Sequence, residues 1–207
     1  MKHTIKLFLL IFVITFFSIP AFCAKENNSE TNINKIKNEE IREQAKILYL
    51  GNQKVKAQTH IMNIPEEQRS ALDYYLIALT SDNSGDEGLS AYKKVISLDE
   101  NFYQAYYNIA NIYYEREDYT QAVNYYKLAV KKNNKFEYGY FNLGCTYLKL
   151  KDYNNARKSF EAAIKLNSKE PDYYYNLGYT YKKMGNQKRA DKAIKLYNEL
   201  MKTRVDS

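Results

Sequence analysis

Few residues in this chain could do chemistry, and their spacing keeps them apart. The sequence holds two histidines, His3 and His60, and two cysteines, Cys23 and Cys145. No metal-ligand spacing surrounds His60. No glycine-rich phosphate loop occurs, and no Ser–His or Cys–His arrangement falls within one unit of the chain. The carboxylates are scattered along polar faces. Without a nucleophile, base and orienting group in one place, catalysis is not expected, nor is a metal or cofactor. Cys145 reads as a small packing residue, and His60 as a surface or capping-helix side chain.

The elements that position these residues repeat. Tyr106, Tyr140 and Tyr174 are 34 residues apart. The same step relates Asn108 to Asn142 and Asn176, and Ala110 to Gly144 and Gly178. It also relates Tyr113 to Tyr147 and Tyr181, and Ala122 to Ala156 and Ala190. A period of this length marks stacked repeats rather than one closed core. Within one period, Tyr140, Leu143 and Tyr147 follow a 3–4 step, and so do Ala156, Phe160 and Ala163. Each set is the apolar face of a helix. Lys151 and Asp152 fall between them, so each unit is a helical hairpin with a short turn. Gly144 is expected to face Ala156 where the two helices approach most closely, because glycine inside a helix costs about 1 kcal/mol relative to alanine.

These residues resemble the tetratricopeptide repeat, with a large aromatic, Leu-Gly three residues on, then Tyr, and Ala, Phe, Ala in the second helix. Tyr replaces the usual Trp, and Asn134 and Ser168 stand where the first two units lack the closing Pro. The resemblance covers 103–136, 137–170 and 171–204, with a degenerate unit over 69–102 in which Leu76 takes the place of the small residue. It implies an all-α fold: an α-solenoid of helical hairpins wound as a right-handed superhelix. It also implies a concave groove that takes up peptides, lined by first helices. Carried over by position, the groove would present Tyr107, Asn111 and Tyr114, then Phe141, Asn142, Cys145 and Leu148, then Tyr175, Tyr179 and Lys182. Tyr107, Phe141 and Tyr175 would form an aromatic ladder facing water, or would pack between repeats. The family's carboxylate clamp is incomplete. Asn111 and Asn142 match its asparagines, but Tyr107 replaces a lysine, and Asp172 and Asn176 replace the basic pair. Capture of a terminal carboxylate is therefore not expected. Tyr197 stands where Ala129 and Ala163 stood, so the array is expected to stop there.

The N-terminus bears on compartment. Lys2 and Lys6 precede an apolar run from Leu7 to Ile19, and small residues follow it. This reads as a signal peptide over 1–23, cleaved after Cys23. An uncleaved anchor and lipid attachment at Cys23 are the alternatives. Residues 24–38 lack a usable apolar face and are expected to be a disordered linker. Residues 39–68 are expected to form N-terminal capping helices, with Gly51-Asn52 interrupting them and Pro65 opening the next helix. The expected location is exported, periplasmic or extracellular. The formal charge of +7 becomes +5 without Lys2 and Lys6, and lysines crowd the last unit. A polar outer face is what a terminal repeat needs. Protein or peptide partners are expected and nucleic acid is not; the oligomeric state is open.

Overall fold

The computed structural model describes residues 31–81 and 85–205. The expected signal peptide and residues 24–30 lie outside the described residues. Internal contacts divide the chain into a unit ending at Gln68 and a unit beginning at Arg69. All regular structure among the described residues is helical.

In the first unit, α1 covers residues 31–50 and α2 covers Lys54–Met62, followed by a 3-10 turn at Glu66–Gln68. Residues 31–38 are therefore helical, not linker. The run from 31 to 50 has no Gly or Pro, is rich in Lys and Glu, and is held by polar contacts near Asn38 as well as by the buried Ala45. Asn38, 7% exposed, donates its Nδ2 to Gln68 Oε1 at 2.7 Å, and Arg42 donates to the Gln68 carbonyl at 3.2 Å. That polar anchorage orders a segment whose two isoleucines, Ile33 and Ile36, stay exposed. Between the helices, Asn52 takes a left-handed φ of 58°.

The second unit runs α3 (Ala71–Thr80), α4 (Asp86–Leu98), α5 (Tyr103–Glu115) and α6 (Tyr119–Lys132). It continues with α7 (Glu137–Lys149), α8 (Tyr153–Leu166), α9 (Pro171–Lys183) and α10 (Gln187–Val205). The helices pack chiefly on their neighbours in sequence, as stacked hairpins do. Pro65 does not open α3. Ser70 does, through a capping box with Asp73: the hydroxyl accepts from the Asp73 amide and the carboxylate accepts from the Ser70 amide.

The period also sets the turns. Glu117, Lys151 and Gly185, 34 apart, take φ of 61°, 59° and 76°. The next residues, Asp118, Asp152 and Asn186, cap α6, α8 and α10 by accepting the amides of Gln121, Asn155 and Arg189. Between hairpins, the side chains of Asp99, Asn133 and Asn167 accept the amides of Asn101, Lys135 and Lys169 at 2.9–3.1 Å.

Two expectations change here. The residue nearest Gly144 is Phe160 rather than Ala156. A Cβ built on it would lie 2.6 Å from Phe160 Cε1, so the whole Phe160 ring, fully buried, occupies that space. The residue opposite Gly178 is likewise Ile194, with the carbonyl of Ala190 at 3.3 Å. Nor does Leu76 fill the small position of the first hairpin. Tyr74, Ile77 and Ala78 are buried, as Tyr106, Ile109 and Ala110 are, while Leu72 is 66% exposed. Helix α3 is shifted by two residues relative to the period, and Ala78 is the small residue. The stretch from Ala78 to Gly88 is two residues shorter than that from Ala110 to Ala122, which absorbs the shift.

Candidate functional site

Helices α5, α7 and α9 carry all ten residues expected to line a groove. Spacings of four and seven keep Tyr107, Asn111 and Tyr114 on one face of α5, and Tyr175, Tyr179 and Lys182 on the corresponding face of α9. Four of the ten come together. Asn111, Tyr114, Asn142 and Cys145 line a cavity of about 220 Å³, joined by Glu115 and Tyr126. Its polar wall is a network within and between repeats. Tyr126 donates its hydroxyl to Asn111 Oδ1, and Asn142 donates its Nδ2 to the Tyr107 hydroxyl at 2.8 Å. Asn108 makes the equivalent bond to Tyr75 at 3.3 Å. At the next junction Phe141 on α7 offers no hydroxyl, and Asn176 turns back to the Asp172 carbonyl on its own helix.

Burial sets the protonation of this cavity. It pushes the Cys145 thiol up to about 12, with Asp172 adding to the shift. It also raises Tyr126, and raises Tyr107 against the lowering effect of its bonds to Asn111 and Asn142. Tyr114 is raised by burial, then by Cys145 and Tyr119. Burial thus keeps the Cys145 thiol and the Tyr107, Tyr114 and Tyr126 phenols in their neutral forms at pH 7. The protonated thiol suits hydrogen bonding and packing rather than nucleophilic attack.

A second cavity, of about 300 Å³, takes in Tyr175, Tyr179 and Lys182 with Gln187, Asp191 and Ile194 of α10. Tyr175 is 50% and Tyr179 43% exposed. Lys183 lies over the Tyr179 ring, 5.3 Å from its centroid. Tyr197 packs on Tyr175 at 5.4 Å, so the side chain at the end-of-array position covers the last first helix.

The water-facing ladder does not form. Tyr107 is half-buried against Tyr126 and Phe136, with centroids at 5.7 and 5.0 Å. Phe141 is half-buried against Phe160 and Tyr173, at 5.9 and 5.0 Å. Leu148 packs on the same cluster as Phe141. Tyr107 and Phe141 are packed among neighbouring rings, and Tyr175 alone of the three is exposed. Tyr126 and the α10 residues were missed. The signal for Tyr126 was its hydroxyl: it stands one period before the buried Phe160, and a buried tyrosine needs a partner for its O–H. Among the described residues no group of His, Cys, Asp and Glu could hold a metal ion.

Comparison with known proteins agrees with this architecture. Residues 103–136 and 171–200 each match a family profile described as tetratricopeptide repeat, and residues 146–185 match one described as TPR repeat. No curated protein matches the chain. Among solved structures, a crystal structure of MamA is 17% identical with a TM-score of 0.73, over 79% of this chain and 97% of that one. MamA from residue 41 to its end, from Desulfovibrio magneticus RS-1, is 18% identical with a TM-score of 0.72, over 81% and 96%. A double mutant, MamA RS-1 ArsTM, is 17% identical with a TM-score of 0.75, over 83% and 98%. At this identity the likeness is one of fold. The chain contains tetratricopeptide repeats and has the helical solenoid fold of these neighbours.

Proposed function

We propose that the chain is a non-catalytic protein-interaction scaffold that takes an extended peptide segment of a partner along the faces of α5, α7 and α9. The observation that carries this reading is the pair of cavities on those helices, which gather seven of the ten residues marked by repeat position alone. The first offers amide and phenol groups beside the Glu115 side chain. The second offers two exposed rings beside Lys182. A segment with an aromatic or aliphatic side chain at one end and hydrogen-bonding groups at the other fits both. The missing basic pair, with Asp172 and Asn176 in its place, argues against capture of a free carboxyl terminus. An exported location in a bacterial envelope is part of the proposal and is supported by the N-terminal pattern of Lys2, Lys6 and the run Leu7 to Ile19.

The test is selection of ligands from a random peptide display library, repeated on Tyr175→Ser with Tyr179→Ser. Truncation of well-packed aromatic contacts typically costs about 2 kcal/mol or more each. Selected peptides should therefore lose at least tenfold in affinity for the double variant, whose melting temperature should be near that of the parent. Equal binding to both proteins would remove this face from the proposal.

A further inference from the structure

The hairpin of α1 and α2 presents an apolar and basic tip that the groove does not use. Ile47 and Leu50 in the last turn of α1, and Val55 in the first turn of α2, are 66%, 74% and 76% exposed. They are flanked by the exposed lysines Lys46, Lys54 and Lys56. From Gln44 to Pro65 the sequence holds no Asp or Glu. Lys46 reaches back to Glu43 at 3.9 Å, and among the described residues no carboxylate pairs with Lys54 or Lys56. The unit does not need these apolar side chains for its own packing, which falls to Ala45, Ala57, Ile61 and Ile64, all 1% exposed or less. Three large aliphatic side chains left in water on one tip favour burial against an apolar partner.

We propose that this tip docks on an anionic lipid surface, with Ile47, Leu50 and Val55 entering the headgroup and acyl boundary and Lys54 and Lys56 meeting the headgroup charges. The charge pattern argues for this occupant. A protein partner of ordinary composition gives no reason for an uninterrupted acid-free stretch, whereas anionic lipid attracts each lysine near its surface and repels carboxylates. The geometry matches a peripheral contact: no described helix is long and apolar enough to cross a membrane. Gly51 and Asn52 form the turn between the two helices at the point of the tip.

The chain contains no tryptophan, so Leu50→Trp in the full chain supplies a single reporter at the tip. Its emission is recorded with vesicles of phosphatidylcholine and phosphatidylglycerol at three to one, and with phosphatidylcholine alone. The expected result is a blue shift and quenching by brominated lipid with the anionic vesicles only. Lys54→Gln with Lys56→Gln should weaken that partition roughly thirtyfold, from about 1 kcal/mol per lysine. Residues 1–30 could bring the chain to vesicles by themselves, and the reporter separates that case: sedimentation with vesicles while the tryptophan stays water-exposed overturns the proposal. A blue shift that grows with protein concentration in the absence of lipid would assign the tip to a second copy and also overturn it.

Discussion

Gly144 is the position where the packing can be tested with the smallest change. A methyl group added there would sit 2.6–2.8 Å from three carbons of the Phe160 ring. Favourable carbon contacts lie near 3.5–4.0 Å, so about an ångström of movement is required. The ring is fully buried and touches Phe141 at 5.9 Å between centroids, so it moves only by displacing its neighbours. Overpacking of this kind costs about 1–3 kcal/mol. Gly144→Ala gains about 1 kcal/mol of helix propensity in return. The net expectation is a loss of about 0–2 kcal/mol for Gly144→Ala and a larger loss for Gly144→Leu, which keeps the overlap and adds three carbons. In a domain of this size, 1 kcal/mol corresponds to about 2–4 °C in melting temperature. Trimming the ring should relieve the clash. Phe160→Leu is destabilising alone, but combined with Gly144→Ala it should cost less than the two singles together, a coupling of about 0.5 kcal/mol or more. Chemical denaturation of the four proteins reads this directly. A stabilised Gly144→Ala, or strict additivity with Phe160→Leu, would refute the close approach of α7 and α8 at this point.

Two further outcomes follow from the buried polar groups. The Tyr173 hydroxyl is buried and has no hydrogen-bond partner, so Tyr173→Phe should stabilise the fold by about 1 kcal/mol by denaturant titration; a loss of that size would mean that the hydroxyl is satisfied. Burial holds the Cys145 thiol up at about 12, above its unfolded value near 8.5, so its contribution to stability is fully present below about pH 8.5 and is lost as pH rises toward 12. Melts across that range should show the fall, and Cys145→Ala should remove the thiol's part while leaving that of the raised Tyr107 and Tyr126; an unchanged pH profile in Cys145→Ala would contradict the burial of the thiol.

The repeat was legible because its spacing is a property of the sequence itself. Tyr106, Tyr140 and Tyr174 reveal the hairpins whatever their surroundings. Register in the first hairpin was not legible, because Tyr74-Tyr75 and Leu76-Ile77 allow two phases of the apolar stripe, and only packing selects Ala78. The partner of Gly144 was misjudged for a related reason. Small residues on facing helices need not touch each other, and here a large ring fills the space that the glycine leaves. Helix over 31–38 was hidden because its anchorage is the pair Asn38 and Gln68, distant in sequence and polar. In the candidate site, periodicity told which residues share a face but not whether the next repeat covers them. Tyr107 and Phe141 are covered and Tyr175 is not. The capping residues Asp118, Asp152 and Asn186 were visible at the same 34-residue step and went unused.

The most direct test of the scaffold reading is hydroxyl-radical footprinting of the tyrosines, with and without a peptide selected on the intact chain. The account predicts protection of Tyr175 and Tyr179 on α9 and of Tyr114 on α5, with Tyr153 at the start of α8 unchanged. Protection confined to the second helices of the hairpins, with Tyr114, Tyr175 and Tyr179 as reactive as in the free protein, would contradict it.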